Sequence, residues 1–455
     1  MSDSDRTMIA SQVHALYETA VQHQAAGNLD LAIAGYSEVL RLDPSFAAAR
    51  RPLVLLLVQA GRSSEAVEYT RAELNAGEEG MVWMTDAVIQ AMQADDLRPA
   101  GELAAIFSSL RYGPNTDDAG RSASPEPKLS VGKLRHDAQQ LRYLRSLSVV
   151  GEEMDQVIAG YEDVAKRLES IGREARMPLS SADDERISDV YGRIVNVREA
   201  PRLDRALSDR WDSDVVQDTY LNHRPGVVVI DDFLAPDALD SLQRFCLEST
   251  VWLANRYPYG RLGAFFLDGF NCPLLLQIAE ELRKTFPRLI GPRHTLRQLW
   301  GFKYPPYLPG DSTIHADFAA VNVNFWIMPD RANLNPSSGG LLVYDLDAPL
   351  SWDFATYNER LDMIKDFLRR NRPRVINIPY RENRAVIFNS DLFHATAEVN
   401  FRSEYEHRRV NITMLYGVRE RDDHHSMLST QSLPVAASSI IPPWRSAALS
   451  RSRRS

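Results

Sequence analysis

Apolar residues recur with two different periods along the chain, and the change of period divides it into two parts. In the first part the spacing is helical, as where Leu134, Leu141, Leu144 and Leu147 fall on one face of a helix. From residue 224 onward, short β-branched runs alternate with turn residues, which predicts strands. We place these strands at 227–230, 296–304, 321–328, 339–345, 374–380, 384–389 and 409–417.

So many short strands separated by turn signals predict a β-sandwich or barrel. Pro236 and Asp237 are typical of the start of a helix, because proline fits the first helical position. Helices that would pack outside the strands are predicted at 236–249, 273–285 and 357–370.

Small residues near the N-terminus repeat at a fixed interval. Gly27 and Gly61 lie 34 residues apart, and Ala32, Ala66 and Ala100 continue the same period. Glycine permits a tight turn between two helices, and a small alanine allows the helices to approach closely. The period therefore predicts consecutive helical hairpins.

The stretch AAGNLDLAIAGYSEVLRLDPSFAAA resembles a tetratricopeptide repeat, with the aromatic Tyr36 and with Pro44 ending the second helix. Three repeats are predicted, the last two degenerate, since Glu78 replaces the second proline and Asp95 the third glycine. An unrelated bundle of amphipathic helices is the alternative. The repeats are placed at about 13–46, 47–80 and 81–114.

Linkers and termini complete the predicted domain organisation. Residues 113–132 are rich in Pro, Gly, Ser and Asp, which indicates a loop, and two bridging helices follow it up to Gly172. The basic C-terminal tail is rich in small residues and is predicted to be disordered. The predicted units are helical repeats (8–114), linker and bridging helices (115–205), a β-rich catalytic domain (206–420) and the tail (421–455).

The acidic charge of the chain is concentrated in the repeats. The 455 residues carry a net charge of −9, of which residues 1–110, with 15 acidic and 7 basic side chains, contribute −8. This balance disfavours nucleic acid as a partner and favours a basic protein or peptide, although a solvated acidic face with no partner would look the same.

The chain has features of a cytoplasmic protein. No run of 18 apolar residues is present, and MSDSDRTMIA lacks the features of a secretory signal, so we expect no membrane association. Cys246 and Cys272, the only two cysteines, are expected to be reduced core residues in the cytoplasm.

One histidine pattern has the composition of a metal site. Of ten histidines only His315 lies in an H-x-D sequence, with Asp317, and His394 follows further along the chain. On a strand, residues i and i+2 share one face, so His315 and Asp317 can reach one ion. Two imidazoles and a carboxylate on one face of Fe(II) leave three positions for substrate and O₂.

A basic residue follows in the position of an anion anchor. Arg409 opens the last predicted strand, where Asn411 and Thr413 alternate onto the same face. A guanidinium matches a carboxylate in a bidentate manner, and a buried arginine needs such a partner. Arg408 takes the role if the strand register differs by one, and Arg402 is a weaker candidate.

Residues 224–420 resemble the 2-oxoglutarate/Fe(II) oxygenases and come nearest to their prolyl-hydroxylase-like branch. The resemblance rests on the H-x-D motif, His394 and Arg409. The resemblance implies a double-stranded β-helix, or jelly-roll. It also implies Fe(II) held by the triad, with 2-oxoglutarate and O₂ as co-substrates. Tyr304 lies where that branch often has a tyrosine contacting the co-substrate. Asn411 stands where many relatives have serine, and the presence of Asp317 favours hydroxylation over halogenation.

Three functions are compatible with these patterns. The chain would hydroxylate a protein or peptide presented by the repeats, or a small molecule with the repeats used for docking or oligomerisation. The third alternative is a catalytically silent scaffold, against which the intact triad argues. Asn322, Asn324 and Trp326 are expected to line the pocket, face solvent or bond within the sheet. Gly339 and Gly340 are expected to form a hairpin turn, with a substrate role as the alternative.

Overall fold

A computed structural model describes residues 3–75, 77–94, 96–113, 128–172, 174–178, 184–310 and 313–419. The position of Asp95, most of the predicted linker and the tail 421–455 lie outside these residues. The N-terminal region is helical. Its helices are α1 (Asp3–Ala25), α2 (Leu29–Leu42), α3 (Ala47–Gln59), α4 (Ser63–Asn75), α5 (Glu78–Gln93) and α6 (Leu97–Tyr112).

These six helices pack as three consecutive pairs, α1 with α2, α3 with α4, and α5 with α6. Gly27 and Gly61 take the turns with positive φ angles of 76° and 74°, a conformation that glycine adopts without strain. Ala32, Ala66 and Ala100 are fully buried in the second helix of each pair. The predicted hairpin period therefore corresponds to the observed helices.

The predicted bridging segment forms a small unit with its own apolar core. A two-stranded ribbon pairs Leu129 with Met177 and Ser130 with Arg176, so the segments before and after the two long helices of this unit lie side by side. The elements are β1 (Leu129–Ser130), α7 (Val131–Ser146), α8 (Met154–Ile171), β2 (Arg176–Met177) and α9 (Asp184–Ile187).

The C-terminal region contains a major and a minor antiparallel sheet, the arrangement expected of the predicted jelly-roll. The major sheet has the order β3-β10-β7-β13-β5-β4, the minor sheet β11-β8-β9, and β12 pairs with β6. The strands are β3 (Val227–Ile230), β4 (Leu262–Phe265), β5 (Leu296–Lys303), β6 (Tyr307–Leu308), β7 (Val321–Trp326), β8 (Leu341–Asp347), β9 (Val375–Ile378), β10 (Arg384–Asn389), β11 (Leu392–Thr396), β12 (Val399–Asn400) and β13 (Val410–Tyr416).

Four helices flank the sheets, namely α10 (Ser213–Asn222), α11 (Pro236–Glu248), α12 (Pro273–Thr285) and α13 (Leu361–Asn371). The last helix was predicted to begin at 357. It begins at Leu361 because a π-helical turn, Ala355–Glu359, precedes it. No helix among the described residues is long and apolar enough to cross a membrane.

The helical pairs pack directly against the β-rich region. Helix α6 contacts α12, and Gly101 lies so close that an added Cβ would be 2.4 Å from Leu276 Cδ1. Buried residues of both regions belong to one apolar cluster. Cys246 and Cys272 are free and buried in it, as expected of core thiols. The helical pairs are therefore joined to the β-rich region through a shared core.

Candidate metal and co-substrate site

The two histidines of the predicted triad lie opposite each other on adjacent extended segments. His315 and His394 exchange two backbone hydrogen bonds, of 3.0 and 2.8 Å. His394 belongs to β11, but His315 forms only an isolated bridge and Asp317 lies in irregular structure. The expectation that H-x-D occupies a continuous strand is therefore wrong. The Asp317 amide is held instead by a hydrogen bond to the Ser390 carbonyl.

The three side chains converge as a metal site requires. One ligand atom from each of His315, Asp317 and His394 lies within 4.8 Å of the others. Asp317 Oδ1 is 3.7 Å from His315 Nε2, and Asp317 Oδ2 is 3.4 Å from His394 Nε2. Asp317 and His394 are buried, whereas His315 is 29% exposed. The site is thus open on the side of His315.

Both imidazoles are oriented by backbone carbonyls. His315 Nδ1 lies 2.6 Å from the Thr313 oxygen, and His394 Nδ1 lies 3.0 Å from the Leu392 oxygen. A carbonyl only accepts hydrogen bonds, so each Nδ1 carries the proton and each Nε2 is left as an acceptor. Protein metal sites commonly fix their histidine ligands in this way.

The protonation states also suit a cation. Burial, followed by the proximity of His394, lowers the pKa of His315 to about 4. Burial raises the pKa of Asp317, but its interactions with His394, His315 and the Asn322 amide outweigh this effect, so the pKa of Asp317 lies below its ordinary value. At neutral pH His315 is therefore neutral and Asp317 ionised, the forms that bind metal ions.

A chain of amides connects Asp317 to the interior of the major sheet. Asn322 Nδ2 donates to Asp317 Oδ2 over 2.6 Å, and Asn324 Nδ2 donates to Asn322 Oδ1 over 2.6 Å. Asn324 Oδ1 accepts from Asn411 Nδ2 and Thr413 Oγ1 at 2.8 and 2.7 Å. Asn322 and Asn324 therefore neither face solvent nor stand alone, because they link the carboxylate to β13.

Arg409, which directly precedes β13, is buried, and its hydrogen-bonding capacity is incompletely satisfied. Its Nε donates to the Gly339 carbonyl over 2.6 Å, and one terminal nitrogen, Nη2, lies 3.3 Å from the Gly340 oxygen. The other, Nη1, has no hydrogen-bond partner among the described residues. The two glycines, expected in a hairpin turn, precede β8 and orient this guanidinium.

Two aromatic residues enclose the Arg409 guanidinium. Its Cζ lies 4.3 Å from the Tyr304 ring and 5.6 Å from the Trp326 ring. Burial raises the pKa of the Tyr304 phenol, but the positive charges of Arg409 and Arg261 outweigh it, so the pKa lies below its ordinary value. Trp326 donates to Asn411 Oδ1 over 2.7 Å, which joins the aromatic pair to the amides.

The other two candidate arginines point elsewhere. Arg408 donates from two nitrogens to Gln139 Oε1 on α7, at 2.8 and 3.1 Å. Arg402 is exposed and its Nε donates to the Arg331 carbonyl over 2.9 Å. Of the three arginines weighed from the sequence, only Arg409 therefore lies against Trp326, which donates to the amide network.

Sequence reasoning missed one further cation, Arg261, because no motif surrounds it. Its guanidinium lies beside the Tyr304 ring and contributes to the low pKa of His315. Only the folded arrangement brings this residue to the site.

No family model matches the chain, and no curated protein matches it. Among solved structures, it is similar to the non-haem α-ketoglutarate-dependent carbocyclase SnoK of nogalamycin biosynthesis, with 13% identity, a TM-score of 0.32 and coverage of 50% of this chain and 94% of that one. It is also similar to a Pseudomonas putida prolyl-4-hydroxylase, with 15% identity, a TM-score of 0.30 and coverage of 46% of this chain and 99% of that one. A third similar structure is EctD from S. alaskensis with bound Fe, with 15% identity, a TM-score of 0.31 and coverage of 48% of this chain and 83% of that one.

Proposed function

We propose that the protein is an Fe(II)- and 2-oxoglutarate-dependent dioxygenase that hydroxylates its substrate. The observation that carries this proposal is that a candidate metal site and a candidate anion site lie in the same β-rich region. A triad of His315, Asp317 and His394 is prepared for a cation, and the amide chain leads from Asp317 to Asn411, which accepts from Trp326. The Trp326 ring lies beside Arg409, a buried arginine with one nitrogen unpartnered among the described residues.

The triad fits iron by its chemistry. Two imidazoles and one carboxylate are the ligand set of non-haem Fe(II) oxygenases, in which the remaining coordination positions stay open. Structural zinc sites are usually closed by four ligands, often thiolates. Both cysteines of this chain are buried in the apolar core, and neither belongs to the cluster.

Arg409 fits the distal carboxylate of 2-oxoglutarate. A buried guanidinium with a free N–H is costly unless an anion completes its hydrogen bonds. Burial lowers the pKa of Arg409 from its ordinary value, as expected of a buried cation without a full counter-charge. Tyr304, whose ring lies 4.3 Å from the Arg409 Cζ, and Asn411 and Thr413 on the strand that follows Arg409 would be further polar groups for the co-substrate.

Each group has a defined part in the proposed reaction. Bound iron, with O₂ and 2-oxoglutarate, would supply the oxidation of a C–H bond to an alcohol, with succinate and CO₂ as co-products. His315 and His394 hold the ion through Nε2, while their Nδ1–H groups keep the rings oriented. Asn322 fixes one oxygen of Asp317 and leaves the other to bind. Arg409 orients the co-substrate by its far end.

Recruitment of a basic peptide by the helical pairs is the finer part of this proposal. The period of Gly27 and Gly61 and the net charge of −8 over residues 1–110 support it. A library of basic peptides should stimulate succinate release, and a variant with Glu18, Asp30 and Asp86 changed to Lys should lose the stimulation. All three side chains are exposed. Stimulation by metabolites, unaffected by these changes, would favour a small-molecule substrate instead.

The first experiment is an anaerobic titration of the protein with Fe(II) and 2-oxoglutarate. A chelated complex gives a weak visible charge-transfer band, which His315→Ala should abolish while the protein stays folded. A band in the wild type alone would support the proposed cofactor pair. No band in well-folded wild-type protein would refute it and favour the silent scaffold.

A further inference from the structure

Arg261 is a buried cation that the proposed reaction does not use. It directly precedes β4 and is 8% exposed. Its Cζ lies 4.6 Å from the Phe302 ring, 4.8 Å from the Tyr257 ring and 5.8 Å from the Tyr304 ring. Its Nε has no hydrogen-bond partner among the described residues. The aromatic rings therefore hold the guanidinium in place without neutralising its charge.

The turn that carries Arg261 is fixed by the bridging unit. Tyr259 and Gly260 both adopt positive φ angles, of 61° and 75°. The Tyr259 amide donates to Glu174 Oε1 over 3.1 Å, and Gly132 packs so closely that an added Cβ would lie 2.4 Å from Gly260 Cα. A side chain at either glycine would displace this turn, so the position of Arg261 depends on contacts from outside the β-rich region.

Arg261 and Arg409 approach the same tyrosine. Tyr304 lies against both guanidinium groups, and the charge of Arg261 also acts on Arg409. Two buried like charges near a metal site repel each other unless anions separate them.

The charge balance of the loaded site leaves room for one more anion. Iron contributes two positive charges and the two arginines one each, whereas Asp317 contributes one negative charge and 2-oxoglutarate two. One positive charge therefore remains, and both histidines are neutral in their ligating form. The co-substrate alone does not neutralise a site that contains Arg261.

We propose that Arg261 binds a carboxylate or phosphate group that the primary substrate carries close to the C–H bond to be oxidised. The inference rests on the proposed function. A guanidinium can hold a carboxylate or phosphate with two parallel hydrogen bonds. Held there, the substrate would present a neighbouring C–H bond to the triad.

Small fluorinated anions can test this before the substrate is known. The protein is loaded with Mn(II), which binds similar ligands, and with saturating 2-oxoglutarate, which occupies Arg409. The ¹⁹F relaxation of trifluoroacetate, trifluoromethylphosphonate and neutral trifluoroacetamide is then measured. An anion held near the paramagnetic ion relaxes faster, and comparing the two anions separates a carboxylate site from a phosphate site.

We expect at least one anion to relax at least fivefold faster than the neutral amide in the wild type, and Arg261→Gln to abolish the difference. Arg256→Gln is the matched control, because Arg256 contacts the same Tyr257 ring and should retain the effect. Equal relaxation of anions and amide in the wild type would overturn the inference, whether or not Arg261→Gln folds. So would an unchanged effect in a folded Arg261→Gln.

The iron–2-oxoglutarate band separates this inference from the proposed function. If the wild type lacks the band, the oxygenase proposal itself fails. If the wild type has it and a folded Arg261→Gln loses it, Arg261 serves the co-substrate and the inference is wrong. A band that Arg261→Gln retains, together with loss of anion relaxation, would support both.

Discussion

The hydrogen bond from Asn322 to Asp317 offers the most direct test of how the chain prepares its metal site. Asn322 is fully buried on β7, and its Nδ2 lies 2.6 Å from Asp317 Oδ2. Asn322→Leu keeps a similar volume and removes the amide. The substitution leaves Asp317 Oδ2 without this donor and Asn324 Nδ2 without its acceptor, while all three metal ligands remain.

The expected magnitude follows from the charge of the acceptor. A hydrogen bond to an ionised group contributes about 1.5–3 kcal/mol, which corresponds to a roughly 10- to 150-fold change in an equilibrium constant. Substitutions of groups that orient metal ligands typically lower metal affinity by about 10- to 100-fold. We therefore expect Asn322→Leu to weaken Fe(II) binding by about 10- to 100-fold.

The assay is an anaerobic competition titration with a chromophoric Fe(II) chelator, with unfolding by urea measured on the same samples. Asn377→Leu is the matched control, since Asn377 is an exposed asparagine on β9 whose side chain donates to the Ser337 carbonyl. If folded Asn322→Leu binds Fe(II) within threefold of the wild type, the amide does not orient the ligand and the reasoning is refuted.

Three further predictions follow from single contacts. Arg409→Gln should weaken 2-oxoglutarate binding about 30-fold or more, since a buried charge pair is lost, and it should leave the Fe(II) affinity within threefold of the wild type. Titration of Arg408→Gln with 2-oxoglutarate provides the control. A larger loss of 2-oxoglutarate affinity in Arg408→Gln would contradict the assignment. Gly101→Leu should destabilise the protein by about 1–3 kcal/mol in urea unfolding, because the new Cβ would meet Leu276; unchanged stability would refute the packing of α6 on α12. The free energy of unfolding of the apoprotein should fall as the pH drops from about 6.5 to 4. The reason is that His315 binds a proton in the unfolded chain in this range, whereas folded His315, with its pKa of about 4, does not. An equally steep loss of stability in His315→Gln would contradict this.

The helical half was predictable because its signals are local. Gly27 and Gly61 indicate turns through their own conformational freedom, and both adopt the positive φ angles that glycine favours. Ala32, Ala66 and Ala100 indicate close helix packing through side-chain size, and all three are buried. Membership of the tetratricopeptide family stays a proposal, because a helical period alone is shared by other helical hairpins.

The strands were predictable where alternation or β-branching is sustained. Strands β3, β5, β7, β10 and β13 lie within a residue or two of their predicted bounds. Strand β11 was missed because its five residues are all buried and show no alternation for a period to detect. Strand β4 was missed as well, since LGAF has neither β-branched residues nor alternating polarity.

The residue types of the site were predictable from the sequence, but their three-dimensional arrangement was less so. The choice of Arg409 over Arg408 follows from the period of two along a strand, which sends adjacent side chains to opposite faces. Arg408 accordingly contacts Gln139 on α7. Arg261 had no such signal, because its turn reaches the site only through packing by Gly132.

These contacts bear on where a functional fragment can begin. A fragment starting near residue 205 would lack Gln139, the partner of Arg408. It would also lack Gly132 and Glu174, which hold the turn before Arg261. Removing α6 would expose the face of α12 at Leu276 to water. If such a fragment lost activity, the cause could be damage to the site or loss of a surface that recruits substrate, and the experiment would not separate the two. Single surface substitutions are therefore the better test of what the helical pairs bind.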